Sequence, residues 1–573
     1  MSDRRRPLAA ALALLVFIAA AAIWAAPILT QLHSHALGVL GDPDEYTWFL
    51  GWYRYAAGAH VDPLLSDFMN HPAGINLMWN TSSPLPALAA APLTAALGPI
   101  ATYNLLVPLS MALSGWCAYL AARHFGAGVL ASGLAGLLFE FSPYMVAQSR
   151  AHLSTVVVCF APLLAIVLDE ALVKQRWPAW RLGAAGGALL ACQLLVLEEY
   201  LATAVLVALI VLAAVLAVVR RWERDRVVYV LRATAASAIA FFVIAGWPLY
   251  VQFFGPHRPR AGTVFHETKR FVTDLLNVVL PTPAEAFVPP GATAALGRIT
   301  GTFYENGAYL GLPLIAACAV VVALGWRDLR IRVLALVTAT ILLISFGGRL
   351  HVHGIETGIR LPGALWNRTP LLQAGLPARL SLYVALGAAL LAALFVERWV
   401  VCAGGRVRVL GLGLTALIVL TWLPSPPPTF PQPVPAYFAG AGVRSLPAGD
   451  VVLLTPWPRE GVEQVMVWQS ASGMRFRLVG GYFLYADPRG KEFVGSPPSP
   501  LQDAVVGIEN GDRTGDVAPA DKVGLLEELR ADGVDHVLVT DGTWHADQMT
   551  RFFSALLDAP PARAAGVNIW SVT

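Results

Sequence analysis

Three carboxylates fall within four positions in the stretch GDPDEYTWFLGWYRYAAG, where Asp42, Asp44 and Glu45 precede a belt of aromatic residues. Carboxylates held at a membrane boundary with no lysine beside them are costly to bury and available as bases or metal ligands. The local alternative is a helix start, with Asp42 or Asp44 capping the backbone and first-turn acids favoured by the dipole. The two readings are compatible, because a helix N-terminus also fixes a carboxylate's aim. LEEYLA supplies Glu198 and Glu199 where one apolar run ends and the next begins; solvated loop acids are the plain alternative there. SPYMVAQSRAHLS supplies Arg150 and His152, which an interfacial anchor pair would also explain. RLPGALWNRTPLLQAGLPARLSLY supplies Arg368 and Arg379, and snorkelling at a helix end is the common explanation for Arg379. FFGPHRPRAG adds His257, Arg258 and Arg260. Glu45, His71 and Arg258 are weaker candidates for substrate contact. Acids and phosphate-type cations together suit group transfer from a phospholipid-linked donor. A carboxylate takes the proton of an acceptor hydroxyl, while Arg, His or a divalent ion neutralises the leaving phosphate; Arg suits phosphate by its planar fork.

Elements able to hold such groups at a membrane face follow from composition. Of the 573 residues, 56% are hydrophobic and only 13% charged, with mean hydropathy +0.60, whereas soluble domains carry about 25% charged residues. A polytopic α-helical membrane protein is predicted, with the lipid bilayer as its surroundings. The net charge of +3 is nearly balanced and the basic residues come in short clusters between apolar runs, so no nucleic-acid partner is implied. The cysteines, Cys117, Cys159, Cys192, Cys318 and Cys402, include no CxxC pair and imply neither a disulfide framework nor a zinc site. Signatures of P-loop nucleotide hydrolysis, of HExxH zincins and of the GxSxG nucleophile elbow are lacking.

A span needs about 20 apolar residues, which places helices near residues 8–29, 100–122, 127–146, 154–172, 183–198, 201–219, 231–252, 307–325, 333–347, 378–397 and 409–424, about eleven in all. MSDRRR precedes an apolar core longer than the roughly 7–15 residues of a signal peptide, so an uncleaved first span with a cytoplasmic N-terminus is expected. In that register the loops ARHFG, KQRWPAWR, RRWERDR, WRDLRIR and ERWVVCAGGRVR all fall on the cytoplasmic side, each short and basic. The outer side then receives the first loop (30–99), residues 148–154, 197–200, 253–306 and 348–377, and everything after Pro424. Within the first loop, 84–97 is apolar but too short to span and reads as an interfacial helix. The predicted organisation is a transmembrane domain over 1–424, a Pro-rich linker over 425–436, and an extracytoplasmic α/β domain over 437–573. In the last, DVVLLTPWP, VDHVLVTDG and VNIWSVT read as strands and APADKVGLLEELRADG as an amphipathic helix.

With GDPDEYTWFLGW after the first span, LTAALGPIATYNLLVPLSMALSGWCAYLAARHFG, FEFSPYMVAQSRAHLSTVVVCFAPLL and NRTPLLQAGLPARLSLYVALG, the membrane part resembles the GT-C superfamily of integral-membrane glycosyltransferases. The resemblance implies an extracytoplasmic active site in the plasma membrane, a polyprenyl-phosphate-linked sugar as donor, a glycan, glycolipid or protein acceptor, and inversion at the anomeric carbon. It implies Asp42 or Asp44 as catalytic base, with Asp42 preferred, and Glu198 or Glu199 at a second acidic position. Arg150, His152 and Arg379 would hold the donor phosphate. Asp42-Pro43-Asp44 has the D-x-D form that binds a divalent cation, Mg or Mn, in some relatives and works without one in others.

Two readings from other classes compete. A transporter or flippase of a lipid-linked saccharide would place ionisable groups near the bilayer midplane, whereas most acids here sit at helix ends; the isolated Glu140 is the exception, two residues before SPY and near the outer end of its span. A non-catalytic cell-envelope assembly protein would use the helices to anchor the α/β domain. There Trp457, Gln464, Trp468, Asp541, Trp544 and His545 suit sugar stacking and hydroxyl binding, although such residues more often pack a core.

Overall fold

Long runs of Ala, Leu and Val satisfy every backbone hydrogen bond internally when they coil, which is what a hydrocarbon surround demands. The computed structural model describes residues 5–219, 222–259, 270–369 and 371–572, and a helix lies at each of the apolar runs named above. Among the described residues, six of these are long and apolar enough to cross a membrane: Pro7–Trp24, Pro99–His124, Val129–Gln148, Glu198–Val218, Arg224–Phe254 and Pro377–Val401. At 1.5 Å per residue, their 18 to 31 residues match or exceed a hydrocarbon core about 30 Å thick, or nearly so for the shortest. The protein is thus a helical membrane protein with a soluble α/β region towards its C-terminus.

The chain divides into two compact units that interleave along the sequence. One comprises Met1–Thr30, Leu105–Gly246 and Val264–Pro428. Its helix Ser381–Val396 is buried along almost its whole length, as a helix apolar all round must be when it sits inside a bundle. Arg224–Phe254 differs: Ile239, Phe242 and Val243 are exposed, the pattern of a helix facing lipid. Gly183 and Gly187, one turn apart, lie against the Ala233 and Ser237 carbonyls, where a side chain would not fit. This small-residue contact is the usual way for membrane helices to approach closely.

The other unit comprises Gln31–Asn104, Trp247–Thr263 and Thr429–Thr573, so the first loop packs with the C-terminal residues. A short antiparallel pair joins β1 (His35–Leu37) to β2 (Thr429–Pro431), inside the Pro-rich stretch. The main sheet has five strands: β3 (Val451–Thr455), β4 (Arg477–Leu478), β5 (His536–Thr540), β6 (Ala562–Ala564) and β7 (Val567–Ser571), in the order β6-β7-β5-β3-β4. β3 is parallel to β5 and β4, while β7 is antiparallel to β5 and β6. Side chains alternate across a strand, and β3 shows the result. Val451 and Leu453 join Leu501, Val505, Leu529 and Phe553 in one layer, whereas Val452 and Leu454 join Phe438, Trp468 and Phe476 in the other.

Helices of this unit include α1 (Asp42–Ala59), α2 (Pro84–Ala89), α3 (Ala91–Leu97), α4 (Gln464–Ala471), α5 (Pro500–Glu509), α6 (Pro519–Ala531) and α7 (Ala546–Leu557). α1 lies against α4. Trp48 Nε1 donates to Gln469 Oε1 at 2.5 Å, Ser470 Oγ donates to the Thr47 carbonyl at 2.8 Å, and Gly51 leaves the room that Ser470 occupies.

Candidate active site

Gly41 turns the chain into α1 at φ 117°, a conformation that favours glycine, and Pro43 sits in the first turn, where its missing N–H is no loss. Gly41 occupies the cap position and no side chain caps the helix, so the acids lie inside the first turn. Asp42 is partly exposed; Asp44 is only 2% exposed, and Glu45 is buried. The Gln432 side-chain amide donates to Asp44 Oδ1. Gln432, itself 3% exposed, is placed by the β1–β2 pairing and by its own N–H, which donates to the Ser34 carbonyl at 2.9 Å. Burial pushes the Asp44 carboxyl up to about 7; the Gln432 hydrogen bond opposes the shift and the charge of Glu463 adds to it. Burial likewise holds Glu45 well above the usual carboxylate range, with Asp42 and Glu463 adding repulsion.

Glu463, in the turn before α4, is 5% exposed and accepts the Gly461 N–H at 2.6 Å. Its carboxyl is raised by burial and by the charges of Asp42 and Glu460. The Tyr482 hydroxyl is raised by burial and then by Asp42, Glu45, Glu460 and Glu463. Tyr103, fully buried and stacked on Tyr46 at 6.4 Å, has a hydroxyl with no partner and lies within electrostatic reach of Asp42 and Asp44.

The helical unit carries a second constellation. Arg379 Nη1 donates to Glu199 Oε2 at 2.5 Å, Nη2 to Glu305 Oε1 at 2.5 Å, and Nε to both Glu305 oxygens at 3.1 Å. Glu199 also accepts the Leu376 N–H at 2.7 Å. Glu305 accepts from Gln148 Nε2 at 2.8 Å, and His152 Nδ1 lies 2.8 Å from Gln148 Oε1 and 3.8 Å from Glu305. Arg150 Nη2 donates to the Pro283 carbonyl and to Ser425 Oγ, its guanidinium lies 5.0 Å over the Phe303 ring, and its Nε is buried without a partner. Burial pushes nearby Glu285 up to about 8, so that carboxyl is largely neutral at pH 7 and leaves the Arg150 charge in place.

A family model, described as a domain of unknown function, DUF6311, matches residues 10–423. The chain belongs to the DUF6311 family. Among curated proteins none matches this DUF6311 member. Several solved structures align with it at low identity. The arabinofuranosyltransferase AftD from Mycobacteria aligns with TM-score 0.57 and 17% identity over 100% of this chain and 40% of that one. The Archaeoglobus fulgidus oligosaccharyltransferase aligns at 0.47, with 11% identity over 96% of this chain and 71% of that one. ArnT from Cupriavidus metallidurans, solved with undecaprenyl phosphate, aligns at 0.46, with 12% identity over 98% of each chain. The DUF6311 chain spans only 40% of the length of AftD. At this identity the likeness shows the fold alone.

The structure sorts the residues singled out from the DUF6311 sequence. Asp42, Asp44 and Glu45 lie together on α1. Of the two adjacent glutamates, Glu199 joins Arg379, whose fork is engaged by two carboxylates rather than snorkelling. His71 is elsewhere in its unit: its N–H donates to the Leu478 carbonyl and its ring approaches Gly533, so it lies towards the amino ends of the parallel strands. Arg258 is exposed and returns Nη1 to the Phe253 carbonyl; His257 Nε2 lies 2.8 Å from the Ala73 carbonyl. Arg368 is exposed at the end of a 3-10 turn, and Arg260 lies outside the described residues. Trp457 and Trp468 pack the two cores, while Trp544 is exposed and Asp541 pairs with Arg563.

Gln432, Glu463, Tyr482, Tyr103 and Glu305 were not anticipated. The one available signal was Gln432 itself, an amide isolated among the prolines of TFPQPVP. Asp42 and Asp44 suit a divalent cation poorly: residues two apart on a helix point to different sides, Asp44 already takes the Gln432 amide, and no group of three His, Cys, Asp or Glu side chains arranged to hold a metal ion occurs among the described residues.

Proposed function

We propose that the protein is a membrane glycosyltransferase that moves a sugar, a pentose or hexose, from a polyprenyl-phosphate donor to an acceptor hydroxyl outside the plasma membrane. The observation that carries this reading is the first turn of α1, where Asp44 and Glu45 are buried, Gln432 aims Asp44 and Asp42 stays partly exposed, in a fold like that of AftD. AftD being an arabinofuranosyltransferase, and ArnT having been solved with undecaprenyl phosphate, support the substrate class. The alternation of basic loops supports a cytoplasmic N-terminus and an external α/β region, and the shorter apolar helices raise the six spans towards eleven.

In the proposed reaction Asp42, the exposed member of the cluster, takes the proton of the acceptor hydroxyl. The acceptor oxygen attacks the anomeric carbon, the bond from that carbon to the phosphate oxygen breaks, and the polyprenyl phosphate leaves with the electron pair; attack opposite the leaving group inverts the centre. Arg379 organises Glu199 and Glu305, and no step is routed through a metal ion.

A second reading rests on Glu140. It is fully buried in Val129–Gln148 with neither carboxylate oxygen partnered, and an intramembrane acid of that kind is the mark of a transport pathway. Purified protein reconstituted in vesicles with radiolabelled polyprenyl-phosphate pentose and hexose decides between them. Release of polyprenyl phosphate with labelled glycan supports transfer; donor movement across the bilayer with no bond cleavage supports transport and ends the transferase reading.

A further inference from the structure

The strand order singles out one edge of the sheet. From β3 the chain reaches β4 on one side through α4, in one layer, and then β5 on the other side through α5 and α6, in the opposite layer. In open α/β sheets ligands bind beyond the carboxyl ends of the strands where the order reverses in this way. Here that edge is TPWPREGVE, residues 455–463, which runs from the end of β3 to α4. Thr540 Oγ1 donates to the Thr455 carbonyl at 3.1 Å and Thr455 and Thr543 hydroxyls meet at 3.0 Å, which closes the β5 side of the edge with polar groups.

The same edge meets the first loop. The hydrogen bonds of Trp48 and Ser470 and the bare Gly51 fix α1 on α4, so Asp42 and Glu45 come within electrostatic reach of Glu463 and Tyr482, which Glu460 also approaches. Beside the acids of α1 two buried polar atoms lack partners among the described residues: the Tyr103 hydroxyl, within electrostatic reach of Asp42 and Asp44, and Oε1 of Gln432, whose amide holds Asp44. Buried polar groups are ordinarily satisfied, and an orphaned donor-acceptor beside a row of carboxylates marks a place for a hydroxyl-rich ligand.

Resting on the transferase reading, we propose that residues 455–463 together with Tyr482 form the subsite for a saccharide acceptor. Glu463 accepts hydrogen bonds from sugar hydroxyls through its second oxygen, Tyr482 donates and accepts at its phenol, and Tyr103 supplies the remaining partner. One acceptor hydroxyl is thereby left for Asp42. The α/β region is then part of the catalytic apparatus and sets acceptor specificity. A neutral saccharide fits better than a peptide, because several carboxylates and two phenols match many hydroxyls.

The full chain in nanodiscs, irradiated with diazirine-bearing octyl glycosides of arabinofuranose, galactopyranose and mannopyranose, tests this directly by mapping the labelled peptides. Label within 455–463 or around Tyr482, competed by the parent octyl glycoside and reduced about tenfold or more in the Glu463→Gln, Tyr482→Phe double variant, is expected. Label confined elsewhere, no label from any of the three, labelling competed only by a Ser- and Thr-rich peptide, or labelling unchanged in a folded double variant overturns it. Should the double variant not fold, the wild-type map decides alone. Wild-type protein that turns over donor but does not label at this edge loses the subsite alone; protein that labels there but releases no polyprenyl phosphate retains a saccharide site and loses the transferase reading.

Discussion

The side-chain amide of Gln432 donates to the carboxylate of Asp44, joining residues 388 positions apart. One end of that bond is a lone amide in a run of prolines, the other an acid in the first turn of α1. A carboxylate only 2% exposed is expensive to keep charged without such a donor. The bond fixes its direction while burial keeps its titration near neutrality.

Activity should therefore depend on pH through Asp44. Its ionisation at about 7 adds negative charge to the helix turn that carries Asp42 and favours arrival of the acceptor's proton there, so kcat/KM rises as pH passes through about 7. Gln432→Leu removes the lowering hydrogen bond and moves the inflection up; Glu463→Gln removes a repelling charge and moves it down, each by about half to one pH unit. Donor-turnover profiles of the two variants check this, and shifts of the same sign contradict it.

The same titration sets a stability trend. The folded-state value for Asp44 lies above its unfolded value near 3.8, so its contribution to stability is fully present below about pH 4 and is lost as pH rises through about 7. An uncharged isostere escapes that loss. Asp44→Asn should raise the melting temperature in detergent at pH 8, by linkage worth up to about 4 kcal/mol, and leave it little changed at pH 4. Equal melting of both proteins at pH 8 contradicts the assignment.

Much of the architecture was legible in the sequence, because apolar length and period-2 alternation are local signals. Helices stand at the apolar runs, and DVVLLTPWP, VDHVLVTDG and VNIWSVT became β3, β5 and β7. Asp42 and Asp44 were legible as acids out of place in so apolar a chain. Gln432 and Glu463 were not, since the pairings that bring them to α1 form across hundreds of residues and leave no periodicity. Glu199 could not be told from Glu198 before the direction of the helix start was known, and the partner of Arg379, Glu305, lies in an irregular turn that no pattern announces.

The contact of α1 with α4 admits no side chain at position 51. Gly51→Ala drives a methyl into Ser470 and should lower stability by about 1–3 kcal/mol. Ser470→Gly in the same chain should restore much of it. Thermal melts of the single and double variants measure the coupling; additive losses contradict the contact.

Arg379 stands between the buried carboxylate of Glu305 and the largely buried one of Glu199, so its removal leaves both uncompensated. Arg379→Ala should cost about 3–5 kcal/mol, and Arg379→Lys, which keeps the charge but not the fork, should cost less. Denaturation in detergent should also show the Arg379→Ala, Glu305→Ala double variant to be less unstable than the sum of the singles.

Transfer of radiolabelled sugar from polyprenyl phosphate to acceptor by the Asp42→Asn variant, normalised to folded protein, tests the central claim most directly. A base that acts in the transition state is worth about 10²–10⁴ in rate, so the variant should fall by at least about a hundredfold while still inserting and folding. Transfer at the wild-type rate by Asp42→Asn would contradict the account.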